Sequence, residues 1–314
     1  MDGRAERAEL PPGTFVLTGP TGCGKSDAGA ALAAQWEGEI VNADAFQLYR
    51  GWPLLTAAPG EEALRRVKHH LYACVDLDQE MSAARFRQMA LPVIWDIAGR
   101  GGVPIVVGGS GLYVKALTHG LSGPPGGDAG LRHELGCLDT ATVRSWLAAV
   151  DPEAAQQVDP ANRRYLERAL EMVLLSGKPV SEVKQGWNGF PRGLRAVCLL
   201  RERSELYARI DRRVQSMLER GLVEEVRALG QLSATAEKAI GVREIRGYLE
   251  GNWDLPEAVR RIQQASRRYA KRQMTWFRRE TWMQTVCAGA EEDAMAVARR
   301  ITALIEHGGR TRAE

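Results

Sequence analysis

The sequence predicts an α/β fold: a parallel sheet flanked by helices, with an all-helical insertion in the middle of the chain. Three observations predict it. A β-rich run at 14–18 leads straight into Gly-Pro-Thr-Gly-Cys-Gly-Lys-Ser (19–26) and an alanine-rich helix. A second short strand at 39–43 ends in Asp44, and an apolar run at 103–107 stops at a glycine turn, as a buried parallel strand does. A glycine- and proline-rich stretch at 122–130 then gives way to helical periodicity until about 182, and a strand-like run returns at 194–200.

Size and composition permit this fold and exclude others. The chain has 314 residues, 45% hydrophobic and 26% charged, which suits a globular protein that needs no disulfide or metal staple. Its net charge is 42 − 39 = +3, so any basic surface must be local. No apolar run is long enough to span a bilayer. Residues 1–12 read as a disordered lead, polar and mixed in charge, without the apolar region of a secretory signal. The five cysteines are scattered and lack CxxC pairing, which argues for reduced thiols in a cytoplasm and against a zinc module.

The first strand, glycine loop and helix form a phosphate-binding loop in its required context, so the sheet is expected to be P-loop NTPase-like. Gly19, Pro20, Thr21, Gly22, Cys23, Gly24, Lys25 and Ser26 are the candidate pyrophosphate- or nucleotide-binding residues. Glycines let successive N–H groups turn onto phosphate oxygens, and the helix N-terminus adds partial positive charge. Lys25 supplies a full charge, and Ser26 is placed to ligate the Mg²⁺ that accompanies a polyphosphate. Nothing marks Cys23 as a nucleophile.

The 39–43 strand ends in Asp44, close to the phosphate loop if the two strands are neighbours. By residue type alone, Asp44 could equally be a turn or cap aspartate. The 103–107 strand ends in Gly-Gly-Ser-Gly-Leu-Tyr (108–113), which exposes Ser110 at the same edge. No acidic residue follows this strand, which weakens an ATPase or GTPase reading. The adjacent His69 and His70 have no third ligand nearby and read as structural.

Within the helical stretch, Asp151-Pro152 and Asp159-Pro160 each resemble a cap followed by a first-turn proline. Leu166, Ala169, Leu170, Val173 and Leu174 make one apolar stripe, ended by Gly177 and Pro179. Arg164 and Arg168 share another face, and by spacing alone an ordinary solvated basic face is the favoured account of them. After the returning strand, a helix at 204–220 carries Arg209 and Arg213, four apart and able to reach one anion together. Residues 258–279 hold eight basic and no acidic residues. On one continuous helix these fall within an arc of roughly 140°, opposite Val259, Ile262, Ala265, Tyr269, Trp276 and Phe277. Such a stripe, in a nearly neutral chain, points to a polyanion and foremost to nucleic acid.

Taken in order, Gly-Pro-Thr-Gly-Cys-Gly-Lys-Ser (19–26), Val-Asn-Ala-Asp-Ala-Phe-Gln-Leu-Tyr-Arg-Gly (41–51), His-His-Leu (69–71), Gly-Gly-Ser-Gly-Leu-Tyr (108–113), Leu-Leu-Ser-Gly-Lys-Pro (174–179), Gly-Leu-Val-Glu-Glu-Val (221–226), Ala-Ile-Gly-Val-Arg-Glu (239–244) and Arg-Tyr-Ala-Lys-Arg-Gln-Met-Thr-Trp-Phe-Arg (268–278) strongly resemble the tRNA dimethylallyltransferase (tRNA isopentenyltransferase) family. The resemblance runs from about residue 14 to about 280. It implies transfer of a dimethylallyl group from dimethylallyl diphosphate to N6 of the adenosine 3′ of the anticodon (position 37) in tRNAs reading codons that begin with U. The products are N6-isopentenyladenosine and pyrophosphate. It further implies Mg²⁺, a tRNA anticodon stem-loop as partner, a cytoplasmic monomer and no membrane.

By the same resemblance, Asp44 is the general base and Ser110 stands where the family usually has threonine. Lys25, Ser26 with Mg²⁺, Arg209 and Arg213 neutralise the pyrophosphate, with Arg209 and Arg213 counted as catalytic. The implied tRNA contacts are Asp44, Ala45, Phe46 and Gln47; Arg132; Arg164, Tyr165, Leu166, Glu167 and Arg168; Lys238 and Arg243; and Arg267, Arg268, Lys271 and Arg272. The implied organisation is a lead at 1–12, a P-loop core at 13–121 and 194–314 with basic C-terminal helices, and a helical insertion at 122–193 on the anticodon arm. The chain departs from the family at Ala58, where a lysine is common, and at Val242-Arg243, where Tyr-Lys is usual.

Three other readings share some of these features. A small-molecule or nucleotide kinase would use the same loop but has no need of the basic stripe. An adenylate isopentenyltransferase shares the chemistry but not the reason for an RNA-gripping insertion. A non-catalytic RNA-binding protein needs none of Lys25, Ser26 and Asp44.

Overall fold

The structure, a computed structural model, describes residues 9–120, 128–160, 162–185 and 194–308. It divides into two compact units: Met1–Thr118 with Pro191–Glu314, and His119–Phe190. Most of the 122–130 linker, and residues 1–8 of the lead, lie outside the described residues.

The first unit begins with β1 (Phe15–Thr18), α1 (Lys25–Gln35), β2 (Gly38–Asn42), α2 (Glu61–Arg66), β3 (His69–His70), α3 (Ala83–Gly99), β4 (Val103–Gly108) and α4 (Gly111–His119). The helical unit contains α5 (Ala129–Cys137), α6 (Thr140–Val150), α7 (Pro152–Gln157), α8 (Arg163–Ser176) and α9 (Val180–Gln185). The first unit then resumes with β5 (Arg195–Arg201), α10 (Arg203–Glu219), α11 (Leu222–Arg227), a 3₁₀ turn (Ala236–Lys238), α12 (Val242–Leu249), α13 (Leu255–Phe277), β6 (Gln284–Ala288) and α14 (Ala294–Gly308).

The six strands form one parallel sheet in the order β3-β2-β4-β1-β5-β6. Its central strands are largely apolar because both faces are covered. Phe15, Leu17, Ile40, Ile105 and Val197 face one core with Leu32, Val297 and Ile301. Val16, Val41 and Val106 face the other with Phe86, Ile94 and Ile262. β2 is not the neighbour of β1; β4 runs between them. The condition set on Asp44 by sequence therefore fails in its simple form, yet three adjacent strand ends come together at one edge.

The lead is held from Glu9 onward, contrary to the disordered expectation for all of 1–12. Leu10 is buried, and Trp95 Nε1 donates to the Glu9 carbonyl at 3.0 Å. His70 is structural: its Nε2 lies 2.7 Å from Glu39, whose buried carboxylate also accepts two bonds from Arg100 at 2.9 and 3.1 Å. Arg100 chiefly, then His70, holds the Glu39 carboxyl down at about 2 against the opposing effect of burial.

The helical unit has its own core of Leu135, Val143, Leu147, Leu166, Leu170 and Val173. Asp151 caps α7 ahead of Pro152, and its second oxygen accepts from Val180 N at 2.6 Å. No helix starts at Pro160. Asn162 supplies the cap instead, accepting from Tyr165 N, and α8 ends at Gly177 in the left-handed region.

Candidate active site

The phosphate loop follows β1 in a backbone that only glycine tolerates. At Gly19 a Cβ would sit 2.3 Å from the Leu199 carbonyl oxygen, and Gly24 caps α1 at φ 93°. No side chain caps α1, so its first-turn N–H groups are left for an anion. Lys25 Nζ donates to the Pro20 carbonyl at 3.5 Å. Arg209 and Arg213 both reach this loop from α10. Arg209 Nε donates to the Gly22 carbonyl at 3.1 Å, and Arg213 Nη2 to Thr21 Oγ1 at 2.7 Å. Arg213 Nε is buried without a hydrogen-bond partner. Burial pulls the Arg213 guanidinium below its usual range, and the negative charge of Asp44 opposes that pull. Cys23 is buried in the loop, and burial pushes its thiol up, away from thiolate chemistry.

Arg201 is a loop residue that sequence reasoning missed. It closes β5, donates from Nε to the Cys23 carbonyl at 2.9 Å, and pairs with Glu205 at 2.7 Å. Its position at a strand's carboxyl end, on the same edge as the glycine loop, was the available signal.

Asp44 stands one residue beyond Ala43 at the end of β2, and its backbone is fixed by Asn42. Asn42 Oδ1 accepts from Asp44 N at 2.8 Å, while Nδ2 donates to the Asp44 and Leu71 carbonyls. Asp44 Oδ1 accepts from Phe46 N at 3.1 Å. Ser110, at the end of β4, is tied to the same turn: its Oγ accepts from Ala45 N at 2.9 Å and its N donates to the Ala43 carbonyl at 3.3 Å. Gly108 permits this approach, since a Cβ there would lie 2.2 Å from Ala43 backbone atoms. Tyr72, Tyr113 and Tyr269 lie within electrostatic reach of the carboxylate. Burial raises all three hydroxyls, and the Asp44 charge adds to each shift. A half-buried carboxylate, a hydroxyl and an anion-ready loop thus meet at the ends of β2, β4 and β1. Such a site can take a proton beside one substrate while holding a polyphosphate leaving group on the other.

Gln273 of α13 is the second residue missed. It is buried and lies between the two loops, accepting from Thr21 N and donating to the Gly109 carbonyl, each at 2.8 Å.

The other candidates separate into engaged and exposed. Gln47 turns inward, donating to the Thr56 and Ala57 carbonyls at 3.0 Å, and Phe46 packs edge-on against Trp52. The 53–58 segment, which includes Ala58, is held by Glu225, which accepts from Leu54 N and Leu55 N. Lys238 and Arg243 are exposed. In the helical unit, Arg132 and Arg168 both bind Glu171, whose side chain is 2% exposed, and Glu167 pairs with Arg163. Leu166 is fully buried in that unit's core, which removes its side chain from any binding surface. Arg164 and Tyr165 remain on the surface.

The basic stripe on α13 is less continuous than its sequence. The helix starts at Leu255 and so includes Glu257, which pairs with Arg260 and Arg261 at 2.7 and 2.8 Å. Arg267 is paired with Asp211 of α10 at 2.5 Å. Arg278 and Arg279 lie beyond its end. Arg268, Lys271 and Arg272 are exposed and, among the described residues, have no carboxylate within ion-pair distance. The buried face is Ala258, Ile262, Ser266, Ala270, Gln273 and Phe277, a spacing of four, four, four, three and four.

Among the described residues no helix is long and apolar enough to cross a membrane. A family model described as IPP transferase matches residues 47–280. A tRNA dimethylallyltransferase of Akkermansia muciniphila is 42% identical over 94% of this chain and 100% of its own length. That of Geobacter metallireducens is 45% identical over 85% of this chain and 89% of its own. The crystal structure of a tRNA isopentenylpyrophosphate transferase from Bacillus halodurans matches with TM-score 0.69 and 33% identity, covering 96% of this chain and 99% of that one. A eukaryotic dimethylallyltransferase acting on tRNA matches with TM-score 0.83 and 25% identity, covering 95% and 80%.

Proposed function

The chain belongs to the IPP transferase family, and on that footing we propose that it is a tRNA dimethylallyltransferase acting on N6 of the adenosine 3′ of the anticodon. The reading rests on one observation: the turn of Asp44, to which Ser110 is tied, and the phosphate loop that Arg209 and Arg213 reach from α10 lie on three adjacent strand ends.

The adenosine leaves its stack to enter this edge, as bases do in other base-modifying enzymes. Asp44 holds the N6 amine and takes one proton as the N6–C1 bond forms. The C1–O bond to the diphosphate breaks, and pyrophosphate departs with the electron pair. An exocyclic aromatic amine is a poor nucleophile, so orientation by Asp44 and Ser110 lowers the barrier alongside proton removal. Lys25, Arg209, Arg213 and the α1 N-terminus meet the charge that grows on the leaving group.

The site suits Mg²⁺ of a particular kind. Among the described residues no group of three or more His, Cys, Asp or Glu side chains could hold a metal. Ser26, exposed at the start of α1, offers one hydroxyl. An ion that keeps several waters and binds chiefly through substrate phosphates fits such a sparse donor set. When bound, it supplies charge neutralisation to the diphosphate. Arg268, Lys271, Arg272, Lys238 and Arg243, with Arg164 and Tyr165 of the helical unit, are the surface groups offered to the anticodon arm. Five free cysteines suit a reducing cytoplasm as its place of action.

The test incubates the protein with Mg²⁺, dimethylallyl diphosphate and an unmodified anticodon stem-loop, then weighs the RNA. One added dimethylallyl group, lost when that adenosine is replaced, is expected. Prenylation of free AMP or phosphoryl transfer from ATP in its place sinks the reading. Asp44→Ala is expected to lower transfer about 10³-fold while RNA affinity stays within about twofold. Parallel losses of both would remove the general-base role.

A further inference from the structure

Gln273 sits where nothing in the reaction chemistry requires a glutamine. The residue is 5% exposed and carries no charge. Thr18 Oγ1 already ties the ends of β1 and β4 through the Gly108 carbonyl at 2.8 Å; beyond that link, the Gln273 amide bonds to both loops themselves. Oε1 accepts from Thr21 N in the phosphate loop, and Nε2 donates to the Gly109 carbonyl beside Ser110. A donor faces it on one side and an acceptor on the other, so only one orientation of the amide satisfies both. There is no slack around it: a Cβ at Gly109 would lie 2.5 Å from Nε2. The contacts join α13 to segments 252 and 164 residues away in sequence.

The consequence follows from the distances a transfer reaction needs. The leaving group is held by the phosphate loop, and the nucleophile by the Asp44–Ser110 turn. Their separation fixes the approach of N6 to C1, and errors on the order of 1 Å in such an approach cost about 10²-fold in rate. Arg213 and Lys25 fasten the phosphate loop from other sides, but neither bonds to the Gly109 turn. The same turn of α13 exposes Lys271 and Arg272.

We propose that Gln273 is a positioning residue. It sets the spacing between the donor loop and the acceptor turn, and registers both to the helix that carries the free basic residues. The proposal rests on the prenyl-transfer reading above, because it assigns one substrate to each loop.

Gln273→Leu removes both bonds at similar volume. Its kcat for RNA prenylation is expected to fall about 30- to 100-fold, with KM for either substrate within about twofold. Hydrogen exchange at the Thr21 amide is expected to quicken in this variant, a readout independent of activity. Gln273→Glu keeps the acceptor for Thr21 but sets a carboxylate against the Gly109 carbonyl. Protonated, it regains the missing donor. Lys25 of α1, Arg213 of α10, Tyr269 of α13 and Asp44 after β2 are the charged and titratable groups around that position. The ratio of Gln273→Glu to unaltered kcat is therefore expected to rise as pH falls.

An unaltered enzyme without transfer defeats the prenyl-transfer reading itself. An active one defeats this proposal in any of three ways: Gln273→Leu keeps kcat within threefold, its loss lies wholly in KM, or the Gln273→Glu ratio is flat with pH.

Discussion

Two pairs of arginines lie four residues apart on helices of similar length, and the two helices use them differently. On α10, Arg209 and Arg213 both reach the phosphate loop. On α8, Arg168 turns to Glu171, where Arg132 joins it, while Arg164 stays at the surface. Spacing alone states which side chains share a face. What lies opposite that face decides their role. Across from α10 are loop carbonyls, a threonine hydroxyl and the Asp44 charge. Beside Arg168, three residues along the same helix, is the buried Glu171 carboxylate, which Arg168 and Arg132 both pair with.

The largest effect that tests this contrast is at Arg213. Its Nη2 holds Thr21 and its Nε is desolvated without a partner. Arg213→Ala is expected to lower kcat by about 10²- to 10³-fold, the usual result of removing a donor aimed at developing charge. Arg213→Lys should recover only part, since one ammonium cannot reproduce a planar fork. A kcat within about threefold of the unaltered enzyme would place the two arginine pairs in the same class and break the comparison.

The same contrast marks where the fold and site were legible. The phosphate loop could be read because everything it needs is local: the strand, three glycines with positive φ, and the helix start. α8 could be read from its stripe and Gly177. The order of strands could not, because nothing local says that β4 inserts between β2 and β1. β3, with two residues, and β6, exposed at alternate and adjacent positions, carry too little pattern to be read as strands. Asp159-Pro160 had the composition of a helix start, but Asn162 made the cap bond. Arg201, Gln273 and the Arg132 half of the Glu171 clamp depend on partners 39 to 252 residues away, which composition and periodicity do not reach.

The helical unit supplies the second test. Removing Arg168 alone leaves Arg132 on Glu171, so Arg168→Ala is expected to cost about 1 kcal/mol or less. Removing both strands a carboxylate that is 2% exposed. Because the two arginines are themselves 53% and 39% exposed, the full cost of an uncompensated buried charge is discounted, to about 2–3 kcal/mol. Chemical denaturation of the single and double variants checks this. Adding Glu171→Gln to the double variant should return part of the loss, since no charge is then left behind. Unchanged stability with weakened RNA binding would mean that these arginines face RNA as Arg209 and Arg213 face the loop.

The smallest effect, and the sharpest use of the contrast, lies within α13 itself. Arg260, Arg261 and Arg267 have carboxylate partners, whereas Arg268, Lys271 and Arg272 have none among the described residues. A cation already neutralised releases few counterions when it meets a phosphate, because its own field is largely cancelled. A free one releases nearly a full counterion, and each such contact adds about 0.7 to 0.9 to the slope of log affinity against log salt. Replacing Arg268, Lys271 and Arg272 together with alanine should therefore lower the slope by about 2 and weaken stem-loop binding about tenfold near physiological salt. Replacing Arg260, Arg261 and Arg267 should move the slope by less than about 1. The two triple variants differ by the same count of side chains on the same helix. Equal slopes would show that total charge, and not its pairing, governs how this helix meets RNA.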